Sequence, residues 1–239
     1  IFIADGDFKV FLSELIAKQY CTDGEHHLIT FTPRIQETWD IYDWHSKTLL
    51  PWSHKQGFCK KYLYIRSRIH QILKHFTEIC EGAEEIYVHA YQIYSEKTNY
   101  IINHLRKNFS AAKFRFRLIP DGTLNMQIRP SGGIRRIPQF INKLKWMHDT
   151  SINYYTYKGD RLGSEAEIVD RIYLPRGFPN EYDERRVYPI NITGKNLLNS
   201  DRRRVLVAGT ALIQVGMCNK QQMDLCATKI KSVIDELGF

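Results

Sequence analysis

Cysteine is scarce and scattered. The five residues Cys21, Cys59, Cys80, Cys218 and Cys226 include no CxxC pair. That argues against a zinc ribbon or a disulfide framework and fits a reducing, cytosolic compartment. No run of 18 apolar residues occurs, so no helical membrane span is expected. The phosphate-cradling patterns GxGxxG and GxxxxGK[ST] are missing, which counts against dinucleotide oxidoreductases and P-loop enzymes. The GxSxG nucleophile elbow is also missing. The histidines lack metal-ligand spacing, and no metal site is expected. There is no internal repeat and no low-complexity segment.

What is present is ordinary globular material: 239 residues, 43% hydrophobic and 25% charged. That length makes one or two domains with a sizeable core. Aromatics reach 13%, enough to serve binding surface as well as core. Lys and Arg exceed Asp and Glu by 34 to 26, a net charge of +8, which favours polyanionic partners. The chain starts at Ile1 rather than Met, so the lack of a leader sequence carries no information.

Short apolar runs alternate with helical periodicity. Ile1–Ala4 reads as a strand. Asp7 reads as an N-cap, and Phe8, Phe11, Leu12, Leu15 and Ile16 mark the first helix. His27–Phe31 is a second strand, and Trp39–Trp44 a weak strand or loop. Residues 58–80 form a helix closed by Gly82. EIYVHA (85–90) is a strand, 99–109 a helix, and FRFRLI (114–119) a strand that ends at Pro120-Asp121-Gly122. A short basic helix covers 138–148, a Tyr-rich loop 153–163, and a strand 168–174. Residues 177–204 read as a connector, followed by one further strand at 205–208 and a helix at 217–237. The expected fold is α/β: a Rossmann-like parallel sheet flanked by helices over 1–200, plus the first βα unit of a second domain over 201–239.

Ligands on such sheets bind at strand carboxyl ends. Asp121 follows a strand, and Gly122 permits the tight turn that would expose its carboxylate as a general base. Asp-Gly is also a common plain turn. Gly6 and Asp7 form a strand-end loop at a helix N-terminus, with Asp5 and Asp7 opposing anion binding there. His89, Tyr91 and Gln92 end another strand beside the same cleft. Eight Lys or Arg lie between Lys113 and Lys145 with Asp121 as the sole acid, a stretch suited to a phosphorylated acceptor, an anionic membrane or nucleic acid, or else a solvated basic face. Phe114, Phe116, Phe140 and Trp146 within it have core-like spacing.

Several segments together resemble bacterial sialyltransferases of the lipooligosaccharide and capsule type. IFIADGDFKVFLSELIA is similar to their first strand, loop and helix. IPDGTLNM resembles their acidic-acidic-Gly motif. IYLPRGFP with YPINI resembles the end of their N-terminal domain, and RVLVAGTALIQVGMCNKQQMD the first strand and loop of their C-terminal domain. The resemblance implies the N-terminal half of a GT-B glycosyltransferase with Asp121 as catalytic base. Gly6, Asp7, Tyr91, Gln92, Gly122, Thr123 and Asn125 would bind substrate. It implies CMP-sialic acid as donor substrate, no other cofactor, no metal and a cell-surface glycan acceptor. No nucleic acid is expected. A homodimer and peripheral contact with the bacterial inner membrane are further expectations. Pro120 stands where the family has a second acid, and the family's His-Pro motif has no match. The expected chain is therefore an incomplete fragment, inactive by itself. The alternatives are another GT-B transferase using a different activated sugar or polyol phosphate, and a basic nucleic-acid-binding α/β module.

Overall fold

The computed structural model describes residues 1–32, 41–52, 58–120, 137–144, 152–160, 162–178, 180–192 and 228. The chain divides into two compact units, Ile1–Ile192 and Thr193–Phe239. The expected strand at 205–208 lies outside the described residues, as does the expected helix at 217–237 apart from Thr228, which is helical.

The first unit is a Rossmann-like α/β fold built on a seven-stranded parallel sheet. Its strands are β1 (Phe2–Ala4), β2 (His27–Thr30), β3 (Ser46–Leu49), β4 (Glu85–Ala90), β5 (Lys113–Leu118), β6 (Val169–Pro175) and β7 (Val187–Ile190). They lie in the order β3-β2-β1-β4-β5-β6-β7, and every pairing is parallel. The helices are α1 (Asp7–Tyr20), α2 (Phe58–Ile79), α3 (Glu96–Asn108) and α4 (Ile137–Leu144).

The central strands are apolar on both sides because helices cover both faces. On one face Phe2, Ala4, Leu28, Tyr173 and Ile190 pack against Val10, Leu12, Ile16 and Ala17 of α1. On the other, Ile3, Ile29, Val88, Phe116 and Ile172 meet Ile69, Leu73 and Phe76 of α2 and Ile101 and Leu105 of α3. Parallel pairing requires each connection to cross a face. The α1 crossover moves the chain from β1 to β2, and the α2 crossover returns it from β3 to the far side of β1. The sheet thus changes direction between β1 and β4.

Several sequence expectations need correction. Gly6, with φ 107°, is the N-cap of α1; Asp7 is its first residue, and no side chain caps the helix. Trp39–Trp44, expected as a weak strand or loop, is loop over its described residues 41–44, and the strand lies later, at Ser46–Leu49, where it pairs beside β2. The presumed connector 177–204 contains a 3-10 turn at Glu184–Arg186 and the edge strand β7. Val187–Ile190 is too short and too irregular to announce itself by alternation. It is held by pairing with β6 and by Tyr20, whose hydroxyl donates to the Pro189 carbonyl at 2.5 Å. Gly82, with φ 76°, does close the turn after α2.

The Tyr-rich segment 152–163 is docked on the start of α3. Asn99 accepts from the Tyr155 N–H at 2.6 Å and donates to its carbonyl at 2.8 Å, reproducing a strand-like pair with a side chain. Gly163 has φ 84°, and a Cβ there would stand 2.6 Å from Ile93 Cδ1. Its N–H donates to Asp160 Oδ1 at 2.8 Å. Gly163→Ala is therefore expected to cost about 2–3 kcal/mol, left-handed backbone strain plus overpacking. A urea melt reads it directly; an unchanged midpoint would show that the segment is not packed on Ile93.

Candidate functional site

The strand order reverses between β1 and β4, and open parallel sheets take their ligands at the carboxyl edge of such a switch point. The loops after Ala4 and Ala90 leave the sheet at that edge. The Gly6 backbone turns the chain from β1 into α1, and its carbonyl accepts from the Lys9 and Val10 N–H groups at 3.0 and 3.1 Å. A Cβ on Gly6 would meet no atom within 4 Å, so the space in front of the turn is open. Gly6, Asp7 and Phe8 are exposed. The half-buried Tyr91 follows β4, and Lys9 Nζ sits 3.7 Å from its ring centroid. That cation–π contact ties the β4 loop to the first turn of α1.

Asp5 and Lys97 hold this edge together. One Asp5 oxygen accepts the Phe31 N–H at 3.2 Å, just beyond β2. The other pairs with Lys97 in the first turn of α3. Both side chains are mostly buried, at 16% and 10% exposure. Lys97 Nζ also lies 4.8 Å from the Phe31 ring centroid. Burial lowers the Lys97 ammonium to about 8, so it remains mainly charged at neutral pH beside its carboxylate. One ion pair thus joins the ends of β1 and β2 to the start of α3.

The structure places the expected site residues unevenly. Gly6, Asp7 and Tyr91 come to this edge, and Gln92 follows Tyr91 half-buried. Asp121, Gly122, Thr123 and Asn125 lie outside the described residues; the described chain runs one residue short of Asp121, with the Ile119 N–H donating to the Ala90 carbonyl at 3.0 Å. In the sequence Asp5 reads only as a charge opposing anions, and nothing there points to Lys97. A single Lys in EKTNY looks like any solvated surface lysine, so no local signal marks it.

His89 does not line the cleft. It is buried at 1% exposure on the α1 face, stacked on Phe2 at 4.0 Å and near-parallel to Tyr173 at 5.8 Å. Among the described residues its Nδ1 has no hydrogen-bond partner. Burial, reinforced by positive neighbours including Arg117 and Arg171, holds its pKa well below the ordinary value. It is therefore neutral in the folded state. As pH falls through about 6.5 the unfolded chain gains a proton that the native site refuses, and stability is lost with a slope of up to about 1.4 kcal/mol per pH unit. His26, His27 and His104 are shifted the same way by burial. His89→Phe is expected to flatten this acid slope in melts between pH 5 and 7. An unaltered slope would show that His89 takes no part in it.

Hollows also lie elsewhere among the described residues. One of about 650 Å³ opens at the amino edge, between residues 20–27 and 79–86, with Arg117 and Arg171 in its wall. Another, about 610 Å³, lies between α4 and Tyr155–Lys158. Among the described residues no group of three His, Cys, Asp or Glu side chains is placed to hold a metal ion. Nor is any described helix long and apolar enough to cross a membrane.

The fold is thus that of an α/β protein with a Rossmann-like parallel sheet whose strand order reverses between β1 and β4. No family model matches the chain, and no curated protein matches it. Among solved structures it is similar to Clostridium botulinum phage c-st TubZ lacking its C-terminal tail. The TM-score is 0.37 at 12% identity, covering 63% of this chain and 48% of that one. The chain thus matches about half the length of that structure.

Proposed function

We propose that the chain carries the acceptor-side domain of a GT-B glycosyltransferase that transfers sialic acid from CMP-sialic acid to a glycan hydroxyl. The observation that supports this reading is the strand-order reversal between β1 and β4, with the β1–α1 turn and the β4 loop tied together at the carboxyl edge by Lys9 and Tyr91. In sequence, Pro120-Asp121-Gly122-Thr123-Leu124-Asn125 follows β5, the neighbour of β4. Among the described residues at this edge Asp5 pairs with Lys97, and Lys9 lies over the Tyr91 ring.

In this reading Asp121 takes the proton of the acceptor hydroxyl. The hydroxyl oxygen bonds to the anomeric carbon as the bond to the phosphate oxygen breaks, CMP leaves with the electron pair, and the configuration inverts. A carboxylate suffices as base because the leaving group is already a good one. The test is transfer by the complete gene product, offered CMP-sialic acid, UDP-sugars and CDP-linked donors with a panel of oligosaccharides. Mass spectrometry should show gain of one or more sialyl units and release of CMP. Transfer from another donor alone reassigns the substrate. No transfer from any donor by folded protein overturns the reading.

A further inference from the structure

The hollow between α4 and Tyr155–Lys158 joins aromatic walls to a rim of mixed charge. Phe140, on α4, is 60% exposed and Tyr155 is half-buried, so both rings offer surface to it. Tyr157 lies deeper, 8% exposed, its ring 6.3 Å from that of Tyr155 and inclined to it by 24°. The expectation that Phe140 packs in the core is thereby corrected, and Trp146 lies outside the described residues. Both walls are tied down. Gln139 is 5% exposed, and its Oε1 accepts the Tyr157 N–H at 3.3 Å. Asn99 of α3 holds both backbone groups of Tyr155. A hollow fixed in this way needs little ordering when a ligand arrives. Its volume of about 610 Å³ falls within the range of small-ligand sites, about 300–1,000 Å³.

We infer that this hollow binds a neutral oligosaccharide, with a pyranose face against Phe140 and Tyr155 and the sugar hydroxyls bonded around the rim. The choice of ligand rests on the rim. Lys143 and Lys158 bring exposed ammonium groups, Glu165 and Glu167 exposed carboxylates. An ammonium only donates hydrogen bonds and a carboxylate only accepts them, whereas a hydroxyl does both. A ligand covered in hydroxyls therefore meets either kind of group at any point of the rim. A polyanion stacked on the same rings would bring its phosphates against two carboxylates, and a cationic ligand would meet two ammonium groups. The aromatic walls suit the C–H face of a sugar ring, which gains dispersion and buries apolar area there. That the bound sugar is the part of an acceptor remote from the reacting hydroxyl rests on the transferase reading; the binding itself does not.

The experiment is a titration followed by saturation-transfer NMR, with no nucleotide sugar present. The probes are maltotriose, galactotriose, mannotriose and chitotriose, set against trigalacturonate and the zwitterionic dipeptide glutamyl-lysine. At least one neutral sugar is expected to bind more tightly than either charged probe. Its affinity should change little in about 0.5 M salt, since no net charge is neutralised. Phe140→Ala is expected to weaken binding about tenfold, the scale for truncating an aromatic contact. A thermal melt confirms that this variant is folded. Phe178→Ala removes another exposed ring, outside the hollow, and should leave binding as it was. The inference falls if no neutral sugar binds, or if a charged probe binds more tightly. It falls also if Phe140→Ala has no effect, or if Phe178→Ala has an equal one. Sugar binding sensitive to Phe140 in a protein that transfers nothing would keep this inference and end the transferase reading. Transfer by a protein whose sugar binding ignores Phe140→Ala would end this inference alone.

Discussion

Lys97→Met is expected to cost about 3 kcal/mol or more of folding stability, the usual scale when one member of a buried ion pair is removed. Without the ammonium, the Asp5 carboxylate keeps only the Phe31 N–H in a mostly buried place. The strain falls on the junction of β1, β2 and α3. Adding Asp5→Asn should restore much of the loss. The amide has no charge to strand and its oxygen can still accept the Phe31 N–H. A double-mutant cycle in urea measures the coupling. A cost below about 1 kcal/mol for Lys97→Met would place the pair in the class of solvated surface pairs, and the edge would then be organised by packing alone.

The second large effect concerns Asp121. If it is the base, Asp121→Asn in the complete gene product should lower turnover about 10²-fold or more. KM for the acceptor should change little, since an amide still accepts and donates hydrogen bonds but cannot take the proton. The melting temperature should match that of the original protein. Turnover within a factor of about two of the original, with folding intact, would remove Asp121 from the reaction and with it the motif on which the resemblance leans most. A large rise in KM at unchanged turnover would instead make Asp121 a substrate-binding group.

The α/β class and the parallel sheet were legible in the sequence because their signal is local. Buried strands such as EIYVHA show a short apolar core, and helices such as 58–79 show a 3.6-residue period over many turns. Long periodic segments resist ambiguity, and a strand–helix alternation leaves few topologies other than parallel pairing. The Gly82 turn and the buried Phe114 and Phe116 follow from the same local rules.

Tertiary structure decided the rest. β3 and β7 are four-residue edge strands whose sequences, SKTL and VYPI, carry no usable alternation; neighbouring strands recruit them through backbone hydrogen bonds that any non-proline residue can offer. His89 sits near the carboxyl end of β4, yet the pleat turns its side chain into the α1 face. Lys97 and Asp5 are 92 positions apart, a separation at which no pattern in sequence can announce an ion pair. The basic helix expected at 138–148 is α4 at Ile137–Leu144, but the core-like spacing of Phe140 does not say which side meets the protein, and Phe140 is 60% exposed. Which side meets the protein was settled by the hydrogen bond between Gln139 and the Tyr157 N–H, a contact between segments that come together only after the sheet has formed.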